Sequence, residues 1–265
     1  TATSSGVDVF YREMQRWAII WGLDITLINA TGQYAAMNIA GPASREILSK
    51  LTGVDLTGDA FPYMGVVEGE VADVRALILR VGLVGELGFE VHVPASQGMH
   101  VWKSMVSEGA SSGLVPFGLE AQRLLRMEKG HLIIGQDTDA LTYLMEADLA
   151  WTTGRDKKFF IGKRSTEIMQ KRAVKRKLVG LRWPDGYTGA LPQECHLIVE
   201  GSRVIGRITS IATRSTMGYP LGLAFVHPEG STPGSELSVR VDRGELVRAT
   251  VVELPFYDPG NTRQK

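Results

Sequence analysis

Cysteine is almost absent from this chain: one thiol, Cys195, in 265 residues. A single cysteine excludes an internal disulfide framework and fits a reducing compartment. Net charge is absent as well, with 29 acidic and 29 basic side chains, so the basic excess of a general nucleic-acid binder is missing. No apolar run approaches the roughly 20 residues of a membrane helix, and no signal-peptide pattern opens the chain. These absences predict a soluble, cytoplasmic protein with neither nucleic acid nor membrane as partner. Several catalytic signatures are also missing. His92, His100, His131, His196 and His227 form no HExxH or paired i,i+4 pattern, and Cys195-His196 has no CxxC partner, so no metal site is expected. A GxSxG nucleophile elbow is lacking. Gly82-x-x-Gly85-x-x-Gly88 departs from GxGxxG and leads into a strand. A dinucleotide site needs a helix N-terminus there, so these glycines are read as formers of a tight turn with positive φ.

What is present is a chain with 44% hydrophobic residues, long enough for one large domain or two ordinary ones. Val9, Phe10, Met14, Trp17 and Ala18 recur at helical spacing. Residues 33–41 alternate as a strand, and Gly41-Pro42 opens a helix through Ile47, Leu48 and Leu51. Residues 66–83 read as two strands across a short turn, and 89–94 as a third. Ser96 is placed to cap a helix through Met99, Trp102 and Met105, and a further helix follows over 117–129. Strands and helices joined by hairpin turns predict an antiparallel α+β sheet. From about 165 the texture becomes polar and basic. Beyond it lie short strand candidates at 177–183, 195–201, 203–212, 222–228, 236–244 and 246–255. Their even spacing suggests a small barrel or sandwich, with Cys195 as a buried strand residue and a boundary near residue 175. The opening TATSSG reads as a strand end at Thr1–Thr3 running into a turn at Ser4–Gly6, which is the pattern of a fragment of a longer polypeptide.

The chemistry centres on residues 75–90, a strand, a glycine-punctuated turn and a returning strand. Alternation places Glu90 and His92 opposite the apolar Phe89, Val91 and Val93. A carboxylate there can accept two parallel hydrogen bonds from the N–H/NH2 edge of an aminopyrimidine or pteridine, although a Glu on a strand is more often simply wet. Asp137 and Asp139 are read as turn residues held by Asx hydrogen bonds, since two carboxylates fall short of a calcium loop. Lys171, Arg172, Lys175, Arg176 and Lys177 form a basic run, read as a solvated linker ahead of the alternative, steering of an anionic ligand. Trp151 can stack on a flat ring or fill a core.

GELGFEVHVP (85–94), GLEAQRLLRMEKG (118–130), GQDTD (135–139), LAW (149–151), FIGK (160–163), GRITS (206–210), LGLAFV (221–226) and PFYDP (255–259) together resemble the aminomethyltransferase family that includes the glycine-cleavage T-protein. The branch they resemble most is the C-terminal half of the heterotetrameric sarcosine oxidase alpha subunit. The resemblance implies T-protein-like α+β folate-binding lobes over residues 1–174, truncated at the N-terminus, and a C-terminal β-barrel over 175–265. It also implies tetrahydrofolate as cofactor, and flavin only on a partner subunit. The activity implied is capture of an oxidised N-methyl group as 5,10-methylenetetrahydrofolate, with folate nitrogen as nucleophile and the protein supplying orientation and desolvation. Carried over, the family's pteridine-binding glutamate falls on Glu90, its pocket tryptophan on Trp151 and its C-terminal tyrosine on Tyr257. An aromatic of the family pocket is Leu83 here. The folate-contacting arginine falls on Gln122, leaving Arg126 as a nearby cationic candidate. The family's catalytic aspartate lies upstream of Thr1, so no catalytic residue is assigned and the chain alone is expected to be inactive. Two alternatives remain: a folate-binding module without catalysis, as in iron–sulfur maintenance, and a demethylase or dimethylglycine oxidase relative. Residues 129–136 lack the cysteine of the iron–sulfur branch's KGCYxGQ pattern, which disfavours the first.

Overall fold

The computed structural model describes residues 6–154 and 156–264. The strand end expected at Thr1–Thr3 lies outside them. Two compact units are present, one built from residues up to Val81 together with Leu87–Pro116, the other from Gly82–Glu86 together with Phe117 onward.

The first unit begins with helix α1 (Val7–Ile20), which buries none of its residues. A four-stranded antiparallel sheet follows in the order β1-β4-β3-β2, from β1 (Tyr34–Ala40), β2 (Val66–Val71), β3 (Val74–Leu79) and β4 (Gly88–Pro94). The period of two decides which face is dry. Met37, Ile39, Ala76, Ile78, Phe89, Val91 and Val93 face a core completed by α2 (Ser44–Ser49) and α3 (Gly98–Gly109), which contribute Ile47, Leu48, Val101 and Met105. Phe61 stacks on Phe89 at 6.2 Å between ring centroids. Ser96 does not cap α3: the chain enters that helix through a 3-10 turn over Ala95–Gln97, and the flanking Gln97 makes no side-chain cap bond.

The second unit carries α4 (Leu119–Glu128), α5 (Lys163–Gln170) and a closed barrel in the order β10-β5-β8-β7-β6-β9. Its strands are β5 (Lys177–Arg182), β6 (Leu197–Glu200), β7 (Arg203–Ala212), β8 (Leu221–Val226), β9 (Glu236–Arg240) and β10 (Leu246–Val252). Closure removes the sheet edges that short strands would otherwise expose. Its interior holds Leu181, Trp183, Ile198, Ile208 and Val239, all fully or almost fully buried. Gly206 is required on β7 by close approach, because a Cβ there would stand 2.4 Å from the Phe225 carbonyl oxygen. Outside the barrel, α4 lays Met127 against Leu221 and Leu223. The basic run read as a solvated linker follows α5, and its Arg176 bonds Asp139 at 3.1 Å and Glu146 at 3.0 Å. Cys195 is exposed at φ +71° just before β6, not buried within it. The strand starts later because this left-handed residue breaks the extended run.

Candidate functional site

On β4 the buried Phe89, Val91 and Val93 alternate with the half-buried Glu90 and His92. The register fixes what stands beside them. Glu90 pairs across the sheet with Asn38 on β1 and Leu79 on β3, and His92 with Ala36 and Leu77. Directly opposed residues share a face, so the wet face presents Asn38, Glu90 and Leu79 in one row and Ala36, His92 and Leu77 in the next. His92 Nε2 lies 3.3 Å from Glu90 Oε2. The Glu90 side chain keeps 39% exposure, and no arginine or lysine pairs with it among the described residues. A cavity of about 900 Å³ opens over the second of these rows, lined by His92, Ala36 and Leu77 from the sheet and by Phe10, Tyr11 and Met14 from α1; Glu90, Asn38 and Leu79 are not among its lining residues, and Glu90 adjoins it through His92. An unneutralised carboxylate with free acceptor capacity beside a hollow is an arrangement that can take a donor edge of a flat heterocycle.

Four other residues anticipated from the sequence belong to the second unit. Leu83 is 38% exposed, and its carbonyl oxygen accepts a 2.6 Å hydrogen bond from His131 Nδ1. Burial holds the His131 imidazole below its ordinary pKa, against that hydrogen bond. Trp151 sits in a 3-10 turn and is 74% exposed, so it fills no core. The Tyr257 hydroxyl donates to Glu86 Oε1 at 2.5 Å, which raises its pKa above the ordinary phenol value. Gly85, beside Glu86, adopts φ +85° with the methylenes of Lys129 against it. Lys129 in turn donates to the Asp258 carbonyl at 2.6 Å. Of the three glycines read as turn formers, Gly85 alone has positive φ.

Arg126 has a different task from the ligand contact expected of it. Its guanidinium is buried, and Nη1 meets Asp137 Oδ2 at 2.5 Å and the His131 carbonyl at 2.9 Å. Nε donates to the Arg123 carbonyl at 3.1 Å and Nη2 to Ser210 Oγ at 2.7 Å. With its donors committed inside the protein, Arg126 positions Asp137. Asp137 also accepts from Thr209 Oγ1, Ser210 Oγ and the Ile133 amide. Consecutive residues of a regular strand point to opposite faces; Thr209 and Ser210 both reach one carboxylate because β7 bulges between Ile208 and Ser210, which re-aims the side chains. Asp139 is the turn residue it was read as, bonded to the Leu141 amide at 3.0 Å and to Thr142 Oγ1 at 2.8 Å. Sequence reading missed Asn38, Glu86 and Lys129. Asn38 was within reach, since alternation in 33–41 sets it opposite Met37 and Ile39.

An antiparallel α+β unit and a closed six-stranded barrel define a class that comparison with known proteins makes specific. The GCVT N-terminal domain family matches residues 1–157, and the glycine cleavage T-protein C-terminal barrel domain matches residues 176–258. The chain belongs to the glycine cleavage T-protein family. It is 33% identical to an aminomethyltransferase of Halothermothrix orenii, over 87% of this chain and 63% of that protein. A sarcosine oxidase subunit alpha of Corynebacterium sp. (strain P-1) is 31% identical over 91% of this chain, and the chain covers 26% of that longer protein. The crystal structure of glycine cleavage system aminomethyltransferase T from Bartonella henselae has a TM-score of 0.82 over 96% of this chain and 67% of its own, at 22% identity, a likeness of fold alone. The chain thus spans under two thirds of the first aminomethyltransferase relative.

Proposed function

We propose that this chain is the tetrahydrofolate-binding, one-carbon-transfer part of a sarcosine oxidase alpha-like polypeptide, working with flavin-bearing partner subunits. The supporting observation is Glu90: a half-buried carboxylate on the wet face of β4, free of any lysine or arginine partner among the described residues, and bonded to His92, which lines a cavity of about 900 Å³. Glu90 would hold the pteridine through its N–H/NH2 edge, with charge-assisted bonds worth more than neutral ones. Leu77 and Leu79 supply apolar surface on the same face of the sheet. Tetrahydrofolate supplies the nitrogen that captures the one-carbon unit. The protein's part is orientation and exclusion of water. Trp151 and Leu83, both exposed, and Tyr257 are retained as folate contacts on the family resemblance, whereas Arg126 is not. Sarcosine is preferred as methyl source because EKG…GQDTD and PFYDP follow the wording of the sarcosine oxidase branch, and subunit alpha proteins stand among the relatives.

The test is anaerobic titration calorimetry with tetrahydrofolate on wild type and Glu90→Gln. Replacing the charged acceptor should weaken binding about 10- to 100-fold. Equal affinity in the two proteins would remove the assignment.

A further inference from the structure

The carboxylate on β4 does not stand alone, and its cross-strand neighbour has no assigned task. Asn38 lies directly opposite Glu90 in the β1–β4 register, on the same face of the sheet. Opposed side chains of this kind have Cβ atoms about 4.5–5.5 Å apart, a separation that lets two short polar groups meet adjacent atoms of one ring. Asn38 is half-buried, and its amide makes no hydrogen bond among the described residues. The half-buried carboxamide keeps its donor and acceptor free on a strand face otherwise carrying Tyr34, Ala36 and Ala40. On the other flank of Glu90, His92 Nε2 approaches Oε2 at 3.3 Å and limits where that carboxylate can turn. Leu79 closes the row on the side away from Asn38. The order across the sheet is therefore amide, carboxylate, apolar floor.

We infer that Asn38 is a specificity-determining residue that reads the ring substituent next to the N–H/NH2 edge held by Glu90. This deepens the tetrahydrofolate reading and rests on it. A 4-oxopteridine presents donor, donor and acceptor along one edge: the 2-amino group, N3–H and the 4-oxo oxygen. Glu90 takes the two donors, and the Asn38 amide N–H donates to the 4-oxo oxygen. A ring with a 4-amino group and an unprotonated N3 places donors and acceptor in the wrong order for this pair. Asn38 selects the 4-oxo over the 4-amino substituent, and a site that leaves a polar group facing the wrong partner rejects an analogue more strongly than loss of a methylene would. Asn38 is a binding residue and takes no part in moving protons or electrons.

The test measures dissociation constants of the purified protein for tetrahydrofolate and for its 4-amino counterpart, with wild type, Asn38→Ala, Asn38→Asp and Glu90→Gln, alongside thermal midpoints. Wild type should favour the 4-oxo ligand at least 10-fold. Asn38→Ala should reduce that preference at least about 3-fold without moving the midpoint, the remainder being set by Glu90 facing N3. Asn38→Asp, an acceptor in place of a donor, should reduce it further. Full preference retained in either folded variant overturns the inference. Unchanged affinity for both ligands in Glu90→Gln overturns instead the folate reading beneath it, so the two failures are distinguishable.

Discussion

Arg126 and Asp137 form an ion pair cut off from water: Nη1 and Oδ2 are 2.5 Å apart, and their side chains are 2% and 0% exposed. Removing either partner leaves a buried charge uncompensated, at a cost of about 3–5 kcal/mol. Asp137→Ala and Arg126→Met are each expected to lower the unfolding free energy from urea denaturation by that much. Replacing both together with apolar residues should recover much of the loss, since a buried pair is often no more stable than a well-packed hydrophobic substitute. An Arg126→Met protein of unchanged stability but weakened folate binding would restore the ligand role that burial of this side chain argues against.

That pair marks where the sequence stops being legible. Hairpins and barrel strands announce themselves through alternation and through turns such as Glu200-Gly201, because the signal lies within a few residues. The face carrying Glu90 and His92 was readable for the same reason. The partner of Arg126 was not. Helical spacing says which way a side chain leaves α4, but Asp137 reaches it from a loop, and Thr209 and Ser210 converge on the pair from β7 only because of a bulge. Polar burial over such separations has no local signature. Cys195 failed differently: a small apolar residue beside a strand reads as core, and its left-handed backbone is invisible to hydropathy.

Asp139 links stability to acid. The Arg176 hydrogen bond, helped by Thr142, holds its pKa at about 2, below the ordinary 3.8. A carboxyl depressed in the folded state stabilises above its unfolded pKa and loses that contribution as pH falls through the folded value. Asp139→Asn should therefore be less stable than wild type at pH 6, with the gap closing between about pH 4 and pH 2. The side chain is 41% exposed, so solvent screening keeps the effect small. Urea midpoints across that window check it; a gap constant with pH would mean the loss is one of packing.

Tyr257 and Glu86 offer a spectroscopic check. The hydroxyl donates to Oε1 at 2.5 Å and the phenol pKa is raised, first by that hydrogen bond. A raised pKa means the contribution is complete below pH 10 and fades as the phenolate forms above it. Tyr257→Phe should remove one late-ionising component from the alkaline absorbance titration and destabilise by about 1 kcal/mol. Glu86→Gln should bring the Tyr257 ionisation back toward the ordinary range. If Glu86→Gln leaves the titration unaltered, or the component lost in Tyr257→Phe ionises in the ordinary range, the hydroxyl is not held by Glu86 in solution.

His92 tests whether Glu90 must be held as well as present. The ring nitrogen lies 3.3 Å from Oε2, and both side chains are only half-buried, so an exposed pair of this kind adds little to stability. Its use would lie in limiting the rotamers of a carboxylate that must meet two donors at once, a cost otherwise met on binding. His92→Leu should leave the thermal midpoint within about a degree and weaken tetrahydrofolate binding about 3- to 10-fold, mainly through a less favourable entropy. His92→Gln, which keeps a donor of similar reach, should restore most of the affinity. A His92→Leu protein with wild-type affinity would show that Glu90 needs no such support, and one that unfolds would place His92 in the fold instead of the site.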